Sequence, residues 1–211
     1  MAAQGSTGPI AVRVIADVET MRAMAEPTRI AILRLLMSGD KADPPVMSAK
    51  EIAAALQESQ IKLYRHLKHL NAVGLIRVAE TRMVSGIQEQ RYQTGQLALT
   101  VGSELVADGG AAPALTEALV AMLGDFRKDL VRHLGEGRVP IGSTEDTPLG
   151  MVLVRGMASR VSPERAAEFR RRLLALEAEF DDLENEDPQG ISVQLLVGWY
   201  AVSDPSAPEP T

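Results

Sequence analysis

The chain has 211 residues, 45% of them hydrophobic and 24% charged, a globular composition with room for one large or two small domains. It has no cysteine, which excludes disulfides, thiolate metal sites and cysteine nucleophiles. The net charge of −6 argues against a nucleic-acid partner only until its distribution is read. Residues 11–96 carry 12 Lys and Arg against 9 Asp and Glu, whereas residues 97–211 carry 10 against 19. A mildly basic half joined to an acidic half is compatible with a local nucleic-acid footprint.

The opening MAAQGSTGPI lacks the charged and apolar blocks of a secretory signal. No apolar run approaches the 18 residues of a membrane span, so a soluble cytoplasmic protein is expected. Residues 1–10 are small and polar and are expected to be disordered. AVRVI, residues 11–15, alternates weakly and predicts a short strand. Asp17 is positioned to cap a short helix with Val18, Met21 and Met24. Pro27 then punctuates the chain and pre-sets a second helix, TRIAILRLL, which Ser38–Gly39 ends. KADPPV, residues 41–46, reads as a loop.

SAKEIAAAL begins with Ser48 and has Glu51 three residues later, the pattern of a capping box. Gln57–Glu58 make a tight connection to a further helix, with Ser59 as its candidate cap and Gly74 at its end. Stepped at 100 degrees per residue, Leu63, Leu67 and Leu70 fall on one side, with His66 and Val73 at the edge. The opposite side carries Ile61, Arg65, Lys68 and Ala72, flanked by Lys62 and His69. Gln60 sits in the first turn and Tyr64 lies between the faces. LIRVAE and QEQRYQ read as the strands of a hairpin, with Gly86 at the turn and Arg82 in or near it.

Beyond residue 97, PALTEALVAMLGDFRKDLVRHL predicts a long helix with Leu115, Leu119, Met122, Phe126 and Leu130 as its apolar line. MVLVRGMASRV, residues 151–161, and ISVQLLVGWYAV, residues 191–202, predict two strands. Between them, Ser162 and Pro163 open a helix whose apolar line, Ala166, Phe169, Leu173, Leu176, Phe180 and Leu183, alternates steps of three and four. Both helical lines need cover, from within the chain or from a second subunit. Trp199, Tyr200, Met151 and Met157 could edge an apolar pocket, although such a set at strand spacing is more often core. DPSAPEPT is a polar tail. The expected division is a disordered 1–10, a first domain over 11–96, a C-terminal α+β domain over 97–203 and a disordered tail over 204–211.

Catalytic signatures are missing: there is no GxGxxG, P-loop, GxSxG or HExxH. The acidic run Glu177, Glu179, Asp181, Asp182, Glu184, Glu186 reads as a solvated face. His66 and His69 could share a metal only weakly, so no metal, cofactor or catalytic residue is expected.

Two helices at this spacing followed by a hairpin make a helix-turn-helix with a wing. On the front of the second helix, Gln60 suits adenine, Arg65 suits guanine, and Ile61 suits a thymine methyl. Lys62 and Lys68 reach phosphates or bases, and Arg82 suits phosphates or the minor groove.

MRAMAEPTRIAILRLL, SAKEIAAALQESQIKLYRHLKHLNAVGLI and RMVSGIQEQRY together resemble the winged helix-turn-helix regulators of the ArsR-like superfamily, over about residues 11–96. The resemblance implies an α+β fold, a homodimer and transcriptional control, with repression the family-level expectation. It carries DNA contact onto Gln60, Ile61, Lys62, Tyr64 and Arg65, with Ser59 matching the cap and Arg82 matching the wing tip loosely; Lys68 and His69 join them from the face reading, His69 toward solvent or phosphate. Without cysteine the chain departs from the metal-sensing relatives, so a non-metal-sensing branch is implied. A small-molecule effector would be sought in the acidic C-terminal half. The alternative is a winged helix used for protein contacts, without sequence-specific DNA binding.

Overall fold

In the computed structural model, residues 8–38, 41–107, 110–139, 158–181 and 193–200 are described. Contacts divide the chain into two units, Met1–Met151 and Val152–Thr211. The first holds β1 (Ile10–Ile15), α1 (Val18–Ala23), α2 (Pro27–Leu36), β2 (Met47–Ser48), α3 (Ala49–Leu56), α4 (Gln60–Ala72), β3 (Ile76–Val84), β4 (Ile87–Thr94), β5 (Gln96–Val101), α5 (Ser103–Ala107) and α6 (Ala112–Gly135). The second holds α7 (Pro163–Asp181). The architecture is α+β, a winged helix-turn-helix followed by helical elements.

Local chemistry starts and stops the helices. Asp17 caps α1, accepting from the Thr20 amide at 2.7 Å and the Thr20 hydroxyl at 2.8 Å. Those donors hold its carboxyl below the usual range. Glu26 caps α2 by accepting from the Arg29 amide at 3.0 Å, with Pro27 inside the first turn. The capping box forms at α3: Glu51 N donates to Ser48 Oγ at 3.3 Å, and Ser48 N donates to Glu51 Oε2 at 2.7 Å. At the end of α4, Gly74 adopts φ +71, and the Leu75 amide returns to the Leu70 carbonyl at 2.9 Å. This paired closure requires a left-handed residue, which Gly74 supplies without a Cβ penalty.

Two sheets frame these helices. β2, β4 and β3 lie side by side, antiparallel, with a register shift between Val78 and Glu80. The β3–β4 turn is Ser85–Gly86, with φ of +51 and +80, the two-residue turn whose twist matches a hairpin. TRMV, expected in the connection, instead continues β3. β1 pairs in parallel with β5, Val12 opposite Ala98 and Ile15 opposite Val101. A parallel pair requires a crossover, and here the entire helix-turn-helix and its hairpin form it.

The main core joins Ile32, Leu33 and Leu36 of α2, Ile52 of α3, Leu63, Leu67 and Leu70 of α4, and Leu75, Ile76 and Tyr92 of the hairpin. A second cluster joins Ile15, Met21, Ala114 and Ala118. α6 therefore turns a different face inward from the one its bulky residues predict. Ala114, Ala118, Ala121, Asp125 and Asp129 are buried, while Leu119 and Met122 are exposed. Small side chains allow a close approach of the helices. Arg34 of α2 fixes the orientation, reaching Asp125 at 2.8 Å and Asp129 at 3.3 Å.

In the second unit, α7 starts as expected, with the Arg165 amide donating to Ser162 Oγ at 3.3 Å. The predicted strands do not form there among the described residues: 158–161 and 193–200 have no regular structure. A strand needs a place in a ladder, and neither segment belongs to a sheet among the described residues. Residues 151–157, 191–192 and 201–202 of those predictions lie outside the described residues, as do Leu183, Met151 and Met157. Trp199 stacks on Phe169, with ring centroids 5.7 Å apart.

Candidate nucleic-acid interface

α4 divides sharply into two faces. Leu63, His66, Leu67 and Leu70 are buried. Ile61, Lys62, Tyr64, Arg65, Lys68 and His69 are exposed, and Gln60 is half-buried. Ile61 is 84% exposed, the most open of these apolar positions. The sequence-predicted front of the helix is thus assembled on one accessible surface. His66, expected at the edge of the apolar seam, is part of the packed interior.

Two first-turn residues are tied together, since Gln60 Nε2 donates to the Tyr64 hydroxyl at 2.8 Å. They border an open cleft of about 470 Å³ between α4 and the hairpin, whose lining also includes Ala49, Val84, Ile87 and Tyr92. Ser59 occupies the N-cap position, but its hydroxyl makes no capping bond. Its carbonyl meets the first turn instead, accepting from the Lys62 and Leu63 amides at 3.0 and 3.2 Å. Ser59 is exposed, at the end of the helix that presents the front.

The hairpin differs from its sequence reading at the tip. Arg82 lies within β3, opposite Glu89, rather than in the turn, and bonds Glu80 at 2.6 Å. It remains exposed. The tip itself is apolar, with Met83 70% and Ile87 72% exposed and Val84 beside them. The other two hairpin arginines serve the frame. Arg77 donates to Gln93 Oε1 at 2.5 Å. Arg91 donates to the Val46 carbonyl at 2.5 Å and pairs with Glu51 at 2.9 Å. The Ser48 amide, aided by Arg91, holds the Glu51 carboxyl below its ordinary range, so the capping box and the hairpin share one charged anchor.

Sequence reasoning missed the residue that fixes the far end of α4. Arg13, on β1, donates to the Gly74 and Val73 carbonyls. These contacts span 60 and 61 residues, and no local pattern announces them. Gly95 belongs to the same junction. A Cβ there would stand 2.5 Å from the Gly74 carbonyl oxygen, so only glycine fits.

His66 Nδ1 stands 3.3 Å from Glu26 Oε2, beneath the front of α4. Burial depresses the His66 pKa, and Glu26 opposes that shift without overcoming it. His69 is exposed, three residues away. Among the described residues no group of three or more His, Asp and Glu could hold a metal.

A family model described as a helix-turn-helix domain matches residues 24–79, from the end of α1 through α4 into β3. No curated protein matches the chain. The matched module is of a DNA-binding, regulatory class rather than a catalytic one, and the geometry adds the wing. No helix among the described residues is long and apolar enough to cross a membrane.

Proposed function

We propose that this chain is a sequence-reading regulator of transcription, a repressor that binds double-stranded DNA as a homodimer in the cytoplasm. The observation that carries this reading is the accessible front of α4, set on a helix whose opposite face is wholly committed to the core. Arg65 and Gln60 read base edges in the major groove, and Ile61 meets a thymine methyl. Ser59, Lys62, Tyr64, Lys68 and His69 position the helix against the backbone and neighbouring bases. Arg82 meets phosphate from the wing. The ArsR-like resemblance supports the non-metal-sensing branch, with DNA reading in 11–96 and dimerisation and a small-molecule effector in 97–203. Selection of bound fragments from random duplex DNA at near-physiological salt tests the reading. An enriched palindromic or repeated motif is expected; folded protein that enriches nothing would overturn sequence reading in the unliganded state.

One observation favours a second reading. The wing tip presents Met83, Val84 and Ile87 rather than cations, and apolar patches of this kind also suit protein contacts. Under that reading a tip variant would lose a protein partner and keep its DNA motif.

A further inference from the structure

The second unit buries none of its described side chains fully, although it is rich in large apolar ones. Phe169 remains 52% exposed despite the Trp199 ring stacked on it, and Leu176 is 58% exposed. Among the described residues of this unit, α7 and residues 193–200 close no buried core between them. The α7 seam repeats in steps of three and four, the spacing by which one helix packs along another.

The seam is also symmetric about the point between Leu174 and Ala175. Reversing the helix about that point places Leu173 opposite Leu176 and Phe169 opposite Phe180. The charges on its flanks invert under the same operation. Arg170 and Arg172 precede the centre, while Glu177 and Glu179 follow it. We propose that α7 pairs with α7 of a second copy of this chain, antiparallel, about a two-fold axis at Leu174–Ala175. Each Phe–Leu–Leu–Phe seam then meets its own reverse. Arg170 stands against the second copy's Glu177, and Arg172 against the second copy's Glu179. A two-fold repeats every such contact, so two distinct Arg–Glu pairs become four.

Charge selects this orientation. In a parallel, in-register pair the flanking contacts run from each residue to the one five further along the partner. That would place Arg165 against Arg170, a like-charge contact, and leave Arg172 with Glu177 as the attractive one. The antiparallel arrangement makes the flanks attractive on both sides of the axis. This pairing deepens the homodimer reading above by supplying the interface, and it rests on that reading for stoichiometry alone.

Charge reversal in the full-length protein tests it, read by sedimentation, with circular dichroism to check helix content. The doubly substituted Arg170→Glu, Arg172→Glu chain should dimerise at least tenfold more weakly than the parent. The Glu177→Arg, Glu179→Arg chain should do the same. All four positions are exposed, so the substitutions remove no buried contact, and helix content by circular dichroism checks that folding is kept. An equimolar mixture should recover a heterodimer of parental strength, because each chain alone repels and the pair attracts. Variants that dimerise like the parent would overturn the α7 interface while leaving the homodimer intact, held elsewhere. Weakened variants whose mixture stays monomeric would overturn the antiparallel register. A monomeric parent at tens of micromolar would instead sink the homodimer reading itself, and the interface with it.

Discussion

Arg13, on β1, holds the last turn of α4 from some sixty residues earlier in the chain: its Nη1 donates to the Gly74 carbonyl at 2.5 Å, and its Nη2 to that of Val73 at 2.7 Å. A guanidinium at a helix C-terminus satisfies carbonyls that have no partner in the helix and complements its dipole. β1 thereby becomes a brace for the helix that carries the candidate interface. Arg13→Ala should cost about 1–2 kcal/mol, since charge-assisted bonds are lost at a partly solvated site. Urea denaturation should show a lower midpoint at unchanged slope. An unchanged midpoint would mean that water replaces the guanidinium without loss.

The same junction makes a sharper demand at Gly95. Its amide donates to the Leu75 carbonyl at 3.0 Å, and an added Cβ would meet the Gly74 oxygen at 2.5 Å. That neighbour is backbone, so it cannot rotate aside. Gly95→Ala should destabilise the fold by about 1–3 kcal/mol, the range of an overpacked site. Thermal unfolding checks this. Full stability in Gly95→Ala would show that α4 and β5 separate more easily than their packing implies.

These junctions also mark how far the sequence could be read. Asp17, Pro27, the Ser48–Glu51 box and Gly74 act within three or four residues of their targets, so local pattern was enough to find them. The front of α4 was legible for the same reason, because its apolar seam has one period and one answer. α6 was not, since it carries two apolar lines. Bulk favours the leucines, yet the alanine line packs, because Arg34 lies 91 residues away and draws Asp125 inward. The parallel β1–β5 pair and the Arg91–Glu51 anchor are likewise long-range. Ser59 shows the converse limit: a good N-cap residue at the N-cap position, without the bond that defines the role.

On DNA, Arg65 and Arg82 should separate by kind of effect. Arg65→Ala should erode discrimination among operators by about 1–3 kcal/mol at one base position, with smaller loss on random duplex. Arg82→Ala should weaken binding to every sequence and lower the salt slope by about one unit. Titrations at several salt concentrations measure both. An equal loss on all DNA for Arg65→Ala would remove its base-reading role.

Glu80 holds Arg82 at 2.6 Å, so it competes with any phosphate for that guanidinium. Glu80→Gln should therefore strengthen binding to random duplex and steepen the salt dependence. The same Glu80 oxygen also lies 3.7 Å from Nε of the largely buried Arg91, so Glu80→Gln should lose some stability, which urea denaturation reads separately from the gain on DNA. Weaker binding by Glu80→Gln would instead mean that Glu80 orients Arg82 productively.

Acid should loosen the platform under α4 through His66. Its folded-state pKa is depressed from 6.5, first by burial, so the unfolded chain takes up a proton at a higher pH than the native one. Where the unfolded state binds more protons, stability rises with pH. The neutral-His66 contribution is therefore present above about pH 6.5 and declines as pH falls from there through the folded-state pKa. Asp17, Glu51 and Asp129 also have lowered pKa values, Asp129 because Arg132 and Arg34 outweigh its burial. Their losses share the sign but belong below pH 4.5, under the ordinary carboxylate values. The two windows are separable. Between pH 7 and 5, the parent should lose stability more steeply than His66→Gln, whose side chain does not titrate. Parallel slopes for the two proteins in denaturant titrations would show that His66 takes up its proton equally in both states.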